Sequence, residues 1–168
     1  QGGGLGNEVN YHIFDYDPTD ETAVMREIDN IASSLSSIKV FNVYDIIIEI
    51  LREKNYLEKS FELEQKKGSD FVNKAIMRTL KTDSKKGLIV EKIVQNIKKG
   101  DIMFLTGIGQ SYQIIRAHTL LSNLQSVIND TENPVILFYP GSYDHQALSL
   151  FNTFPAENYY RAFKLVDR

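Results

Sequence analysis

Two short runs of consecutive apolar residues constrain the fold of this chain more than any other feature. The runs are IMFLT, at residues 102–106, and PVILFYPG, from Pro134 to Gly141. Neither run alternates between apolar and polar residues, so both faces of each strand must be covered. Strands of this kind belong to parallel sheets that carry helices on both faces, and the pattern therefore predicts an α/β fold.

Three further strands and the helices between them complete the predicted layout. Strands are predicted over Asn10–Asp17, Lys39–Asp45 and Asn158–Val166. Tyr112–Ile128 has the strongest helical pattern in the chain, and a shorter helix is predicted at 145–154. Strands that alternate with helices predict three layers, helix–sheet–helix, around a mostly parallel sheet of roughly five strands.

The segment between the second and third strands is helical throughout and unusually basic. Residues 52–100 hold 13 Lys and Arg against 7 Asp and Glu, a balance of +6, whereas the rest of the chain carries −9 of a net charge of −3. We predict a single α/β domain over residues 5–168, with a helical insertion at about 54–100. The lysines of the insertion are a weak candidate for nucleic-acid contact, since solvated helix faces are the commoner reason for such a composition. The four lysines of this hypothesis are Lys66, Lys67, Lys85 and Lys86.

Composition excludes several classes of protein. The chain has no cysteine, which excludes a disulfide scaffold and cysteine-ligated zinc. Its apolar runs fall well short of the ~18 residues that a membrane helix needs, and no secretory signal pattern is present. We therefore expect a cytoplasmic protein without membrane contact.

The run at 102–106 leads into a glycine-rich turn that is similar to the start of a nucleotide-binding loop. Doubly wound folds bind ligands at the carboxyl ends of their strands, where Gly107 and Gly109 fall. These glycines form a possible anion site with Ser111 and with Arg116, which would reach back from the predicted helix. However, the lysine of a P-loop is missing, and Tyr112 stands where a dinucleotide loop has its third glycine. The alternative is a tight turn that needs a positive φ, with Ser111 as helix cap and Arg116 paired with nearby acids.

The end of the first strand carries two acids in a pattern with a catalytic precedent. Asp15, Asp17 and Thr19 match the D-x-D-x-T spacing of haloacid-dehalogenase-type phosphatases, in which the first acid is the nucleophile and the second the acid/base. Those enzymes bind Mg²⁺ with a further acidic pair, whereas only Asp144 follows the late strand here. A Mg²⁺-dependent phosphohydrolase is therefore an alternative hypothesis. The other interpretation is that Asp15 and Asp17 cap turns and anchor loops.

The last predicted strand is a candidate protein interface. In the stretch NYYRAFKLV, Tyr159, Arg161 and Phe163 share one face of the strand. Tyrosine and arginine are favoured interface anchors, so a partner could bind here. An ordinary strand packed on the sheet is the alternative.

Several long sequence blocks, taken together, resemble one known family. The blocks are, in chain order, GLGNEVNYHIFDYDP, FLTGIGQSY with RAHTLLSNLQ, LFYPGSYD and FPAENYYRAFKL. They are similar to those of the DUF1788 family, which includes the small BrxB component of bacterial BREX phage-defence systems. The resemblance runs from about Leu5 to Val166 and is least distinctive in the basic middle of the chain.

The resemblance implies a cytosolic protein that works within a multi-protein defence system. Its neighbours there would include an alkaline-phosphatase-like PglZ protein, a DNA methyltransferase and a large ATPase. No catalytic residues carry over from the family. The resemblance therefore implies a non-enzymatic scaffold or adaptor that contacts the PglZ-type protein and uses no cofactor or metal. A homodimer is a further possibility.

Overall fold

The computed structural model describes residues 11–129, 132–144, 148–150 and 163–164, and its elements alternate between strand and helix as predicted. The strands are β1 (Tyr11–Tyr16), β2 (Ile38–Asn42), β3 (Ile102–Thr106), β4 (Val135–Tyr143), β5 (Leu148–Leu150) and β6 (Phe163–Lys164). The helices are α1 (Glu21–Ser34), α2 (Val43–Glu53), α3 (Leu57–Lys67), α4 (Ser69–Leu80), α5 (Leu88–Gln95), α6 (Ile108–Ser111) and α7 (Ala117–Gln125). A 3₁₀ turn at Pro18–Asp20 joins β1 to α1.

The strands form a sheet that is parallel except at the end of β4. The order is β2-β3-β4-β1-β6 with parallel neighbours, and β5 pairs antiparallel with the last residues of β4. β1 and β4 pair from Tyr11 beside Val135 to Tyr16 beside Pro140. The predicted α/β fold with a mostly parallel sheet of roughly five strands is confirmed.

Side chains of the central strands alternate between two apolar cores on opposite faces of the sheet. On the first face, Leu105 and Leu137 are fully buried beneath α2 and residues of α4 to α7. On the second face, Phe104 and Phe138 pack with Ile28 of α1, and the two phenylalanine rings lie 5.1 Å apart between centroids. Because successive strand residues point to opposite faces, every position of a doubly covered strand must be apolar. This explains why the two apolar runs lack alternation.

The helices between β2 and β3 form the predicted insertion, but they are anchored unequally. α5 contributes Ile89, Val90 and Ile93 to the first core, and α4 ends at the fully buried Leu80. α3 buries none of its residues, and the side chain of Phe61 on it is 56% exposed. The insertion is therefore joined to the core through its second half.

The predicted helix over Tyr112–Ile128 is wrong in its first part. α6 ends at Ser111 and α7 begins only at Ala117, so a turn separates them. The amides of Ile114 and Ile115 both donate to the Ser111 carbonyl, at 2.9 Å each. Both isoleucines are buried in the first core, so tertiary packing of the turn supplies part of the apolar pattern that suggested a helix.

The predicted short helix at 145–154 is also wrong where the structure describes this segment. Leu148–Leu150 form β5, in which Ser149 pairs with Ser142 of β4. The apolar–polar–apolar order of these three residues has the period of a strand. Residues 148–150 therefore form a strand by pairing with the end of β4, although the pattern of the longer segment predicted a helix.

None of the helices in the described part of the chain combines the length and the apolar character that crossing a membrane requires.

Truncation of Leu105 tests the assignment of the core. Leu105→Ala should lower the free energy of unfolding by about 2–5 kcal/mol, because it leaves a cavity at the centre of the sheet. Leu63→Ala on α3 is the control; this side chain is 36% exposed, and its truncation should cost less than about 1 kcal/mol. Urea unfolding followed by circular dichroism measures both. Equal losses would contradict the placement of Leu105 in the core and of Leu63 at the surface.

Candidate functional site

The carboxyl ends of the parallel strands open onto a cleft of about 440 Å³, where doubly wound folds bind ligands. Its walls come from the β1–α1 connection, the first half of α1, the end of β2, the turn into α6 and one residue of β4. The lining residues are Tyr16, Pro18, Glu21, Met25, Asn42, Gly107, Ile108, Gly109, Gln110 and Pro140. No lysine or arginine belongs to this lining within the described residues.

The turn after β3 packs directly against the start of α2. Gly107 has a left-handed backbone, with φ 72° and ψ 19°. A Cβ atom at this position would overlap Oδ1 of Asn42 and lie 3.1 Å from the backbone nitrogen of Tyr44. Asn42 itself is held as the cap of α2, since its Oδ1 accepts a hydrogen bond from the Asp45 N–H at 3.1 Å. Gly107 therefore has the positive φ and the close packing that a tight turn requires.

Of the four residues of the possible anion site, only the two glycines line the cleft. Gly107 and Gly109 line the cleft, but Ser111 is buried and its hydroxyl donates to the Gly107 carbonyl oxygen at 2.8 Å. Ser111 is the last residue of α6, so its predicted role as a helix N-cap is wrong. Arg116 has an extended backbone just before α7, and its guanidinium carbon lies 5.2 Å from the centroid of the Tyr112 ring. The break between α6 and α7 thus removes the helical geometry through which Arg116 was expected to reach the turn.

The two acids of the D-x-D-x-T pattern have separate structural roles. Asp15 is 3% exposed and accepts a hydrogen bond from the Tyr143 N–H at 3.1 Å, which ties the end of β1 to the end of β4. Asp17 is exposed and caps the 3₁₀ turn, where its Oδ1 accepts from the Thr19 N–H at 2.9 Å and from the Thr19 hydroxyl at 2.8 Å. Both contacts agree with the interpretation that the acids anchor loops. Among the described residues, no cluster of three or more acidic or histidine side chains is arranged to bind a metal ion.

The titratable residues that line the cleft are Tyr16 and Glu21, which sequence reasoning missed. Tyr16 is buried, and its hydroxyl donates a hydrogen bond to Oε2 of Glu21. Burial, followed by the hydrogen bond and the charge of Glu21, raises the pKa of Tyr16 far above its ordinary value. The phenol therefore keeps its proton, and the hydrogen bond that it donates to Glu21 joins the first turn of α1 to the end of β1. A tyrosine at a strand end five residues before an acid at a helix start is the signal that would have indicated it.

The four lysines of the nucleic-acid hypothesis are exposed, and they lie in two separate parts of the insertion. Lys66 and Lys67 lie in the last turn of α3, whereas Lys85 and Lys86 lie in the connection between α4 and α5. The Lys67 ammonium lies 5.9 Å from the centroid of the Phe71 ring. Nucleic-acid contact through these four lysines stays a prediction.

The candidate interface on the last strand falls largely outside the described residues. Tyr159 and Arg161 both lie there. The backbone of Phe163 belongs to β6 and pairs with His12 of β1, which confirms a strand at this point. The interface itself stays a prediction.

The fold and the cleft together define a doubly covered α/β protein whose ligand-binding edge lacks both the P-loop lysine and the third glycine of a dinucleotide loop. The family model described as BREX protein BrxB matches residues 39–165. The chain belongs to the BrxB family of BREX proteins, which confirms the DUF1788 resemblance.

Two relatives support this assignment over nearly the whole chain. The BREX protein BrxB of Bacillus cereus (strain H3081.97) is 42% identical over 170 residues, which cover 98% of this chain and 88% of that protein. The BREX protein BrxB of Escherichia coli O9:H4 (strain HS) is 34% identical over 166 residues, which cover 97% of this chain and 81% of that protein. No solved structure matches the chain significantly.

Substitution of Gly107 tests the close packing of the turn. Gly107→Ala should lower the free energy of unfolding by about 2–4 kcal/mol, because it combines backbone strain with overlap at Asn42. Gly100→Ala is the matched control; Gly100 also has a positive φ, of 91°, in a turn closed by the Asp101 N–H and the Lys98 carbonyl, but a Cβ atom there meets nothing within 4 Å. It should cost only about 1–2 kcal/mol of strain. Similar losses for the two variants, measured by urea unfolding, would contradict the packing of Gly107 against Asn42.

Substitution of Asp15 separates an anchoring role from a catalytic one. Asp15→Ala should lower the free energy of unfolding by about 1–3 kcal/mol, because the Tyr143 N–H loses a buried acceptor. Asp15→Asn keeps an acceptor oxygen and should cost clearly less. Thermal unfolding measures both variants. Unchanged stability in Asp15→Ala would rule out the anchoring role.

Proposed function

We propose that the protein is a non-enzymatic scaffold or adaptor subunit of a BREX-type phage-defence complex, acting in the cytoplasm and contacting a PglZ-type partner. Membership of the BrxB family supports its assignment to a BREX system. The observation that carries the adaptor role is the composition of the strand-end cleft. A nucleotide phosphate needs lysine, arginine or a metal ion to offset its charge, and the described lining of this cleft offers neither cation nor metal-binding cluster.

A surface suited to a protein partner lies outside the lining of the cleft, which supports the same proposal. A groove of about 560 Å³ runs between α2 and α3. Tyr44 and Phe61 are exposed apolar residues in its lining, with Asp45 and Glu53 beside them. Exposed aromatic residues rimmed by charges are typical of protein-binding surfaces.

The phosphohydrolase alternative makes a different demand on Asp15. As a nucleophile, Asp15 would have to present a carboxylate oxygen to the cleft, whereas its side chain is buried and it is not among the residues that line the cleft. The alternative predicts Mg²⁺-dependent hydrolysis of p-nitrophenyl phosphate that is lost in Asp15→Asn. The adaptor proposal predicts no such activity in either protein.

Co-expression with the PglZ-type protein of the same BREX system tests the proposal. The tagged chain should retain that protein through affinity capture and gel filtration, with light scattering to show whether the complex holds one or two copies of the chain. The cleft variants Glu21→Gln and Gln110→Ala are matched controls and should retain the partner equally well, because the adaptor role does not use the cleft. Absence of a complex, or loss of capture in both cleft variants while they stay folded, would contradict the proposal.

A further inference from the structure

A groove of about 820 Å³ runs along the outer edge of β2. All five residues of Ile38–Asn42 line it, with α1 on one side and α2 and α5 on the other. β2 ends the order of strands in the sheet, and no described strand lies beyond it. A strand with no described neighbour on its outer side can accept an extended segment as an added strand.

Backbone groups of β2 point into this groove. On the inner side, the Ile102 N–H donates to the Ser37 carbonyl oxygen at 2.7 Å. Polar groups of alternate residues in a parallel ladder point to the same side, so those of Lys39 and Phe41 face β3 and those of Val40 face outward. The side chain of Val40 is 39% exposed. Val40 therefore offers one donor and one acceptor to a segment that enters the groove.

The α1 wall of the groove is mainly apolar. Met25, Ile28 and Ala32 lie on it, and Asp29 is exposed at its rim. Side chains of an added strand that point toward α1 would therefore meet apolar surface. Apolar residues on that face of the segment would be favoured by burial.

The α2 wall is acidic. Asp45 and Glu49 are exposed there, and Asp29 lies across the groove. Lys92 of α5 also lines the groove, and its ammonium is bound by Glu49 at 3.4 Å and by Glu53 at 2.6 Å. These three side chains together carry one negative charge, and Asp45 adds a second. The other lysine of the lining belongs to β2 itself. Basic side chains of a bound segment on this side would therefore meet complementary charge.

We propose that the β2 edge groove binds an extended segment of a partner protein by strand addition, and that this segment alternates apolar residues with Lys or Arg. Side chains of an added strand alternate in direction, so its apolar residues face α1 and its basic residues face α2. The inference rests on the proposed adaptor function, because it assigns the surface that holds the partner. A second copy of this chain fits less well, since its own β2 is recessed between α1 and α2.

Hydrogen exchange at Val40 tests strand addition directly. The probe is a ten-residue peptide that alternates valine and lysine, added to the full chain and followed by nuclear magnetic resonance. The Val40 amide should gain at least tenfold protection. A valine–glutamate peptide and a valine–lysine peptide with a central proline should each bind at least tenfold more weakly. Absence of binding, binding without Val40 protection, or equal binding of the three peptides would overturn the inference.

Two variants test the backbone and the charge separately. Val40→Pro removes the outward N–H but leaves the bonds to β3, and it should weaken the valine–lysine peptide at least tenfold. Asp45→Lys, on the α2 wall, should weaken it several-fold. Glu58→Lys makes the same change of charge in the first turn of α3, at an exposed position outside the groove lining, and it should not weaken the peptide. The Asp45 and Glu58 pair decides the outcome if Val40→Pro does not fold. Equal binding by these two variants would overturn the charge assignment.

The groove and the adaptor function can fail independently. If the PglZ-type protein co-purifies while Val40 exchanges as in the free chain and Asp45→Lys retains capture, the groove is not the partner surface and the adaptor function stands. If no complex forms, the adaptor function fails, and the peptide measurements alone decide the groove. Protection of Val40 that rises with the concentration of the chain itself, without peptide, would overturn the partner assignment in favour of a second copy.

Discussion

Burial of the central strands on both faces is the constraint on which the rest of the structure depends. Leu105 and Leu137 face one core, and Phe104 and Phe138 face the other. Each face must therefore be covered by helices, and the connections that carry these helices make the central strands parallel. Parallel strands bring their carboxyl ends to one edge, which determines where the cleft lies. Among the described strands, β2 stands at one end of the sheet and has no neighbour on its outer side.

Several residues at the edge where this fold usually binds ligands are engaged in structural contacts. Gly107 lies against the cap of α2, Asp15 is turned inward to Tyr143, and Tyr16 is fastened to Glu21. The packing contact of Gly107 and the hydrogen bonds of Asp15 and Tyr16 hold these residues in place. The open side of β2 differs, because the backbone of Val40 faces a groove with one apolar and one acidic wall. We favour protein binding over phosphate chemistry because the described lining of the cleft offers no cation for a phosphate, whereas the groove beside β2 offers backbone and side-chain contacts to a peptide segment.

The sequence predicted the fold class, the strands and the glycine turn more accurately than it predicted the site. The fold class, the strands and the glycine turn depend on local patterns, since an apolar run or a glycine after a strand indicates the same structure whatever the rest of the chain does. Arg116 and Ser111 were placed wrongly because helical periodicity does not distinguish a continuous helix from a helix interrupted by a buried turn at Ile114 and Ile115. Tyr16 and Glu21 were missed because their contact depends on the direction in which α1 leaves the 3₁₀ turn.

The sequence by itself determined the α/β class and the family, because apolar runs and the blocks shared with the family can be recognised from residue types alone. Only the tertiary structure decided that Asp15 binds the backbone of Tyr143, 128 residues later, and that β2 occupies the edge of the sheet. Strand order and long-range hydrogen bonds depend on how the helices pack over both faces. That packing is a property of the assembled core, and no single segment of the chain encodes it.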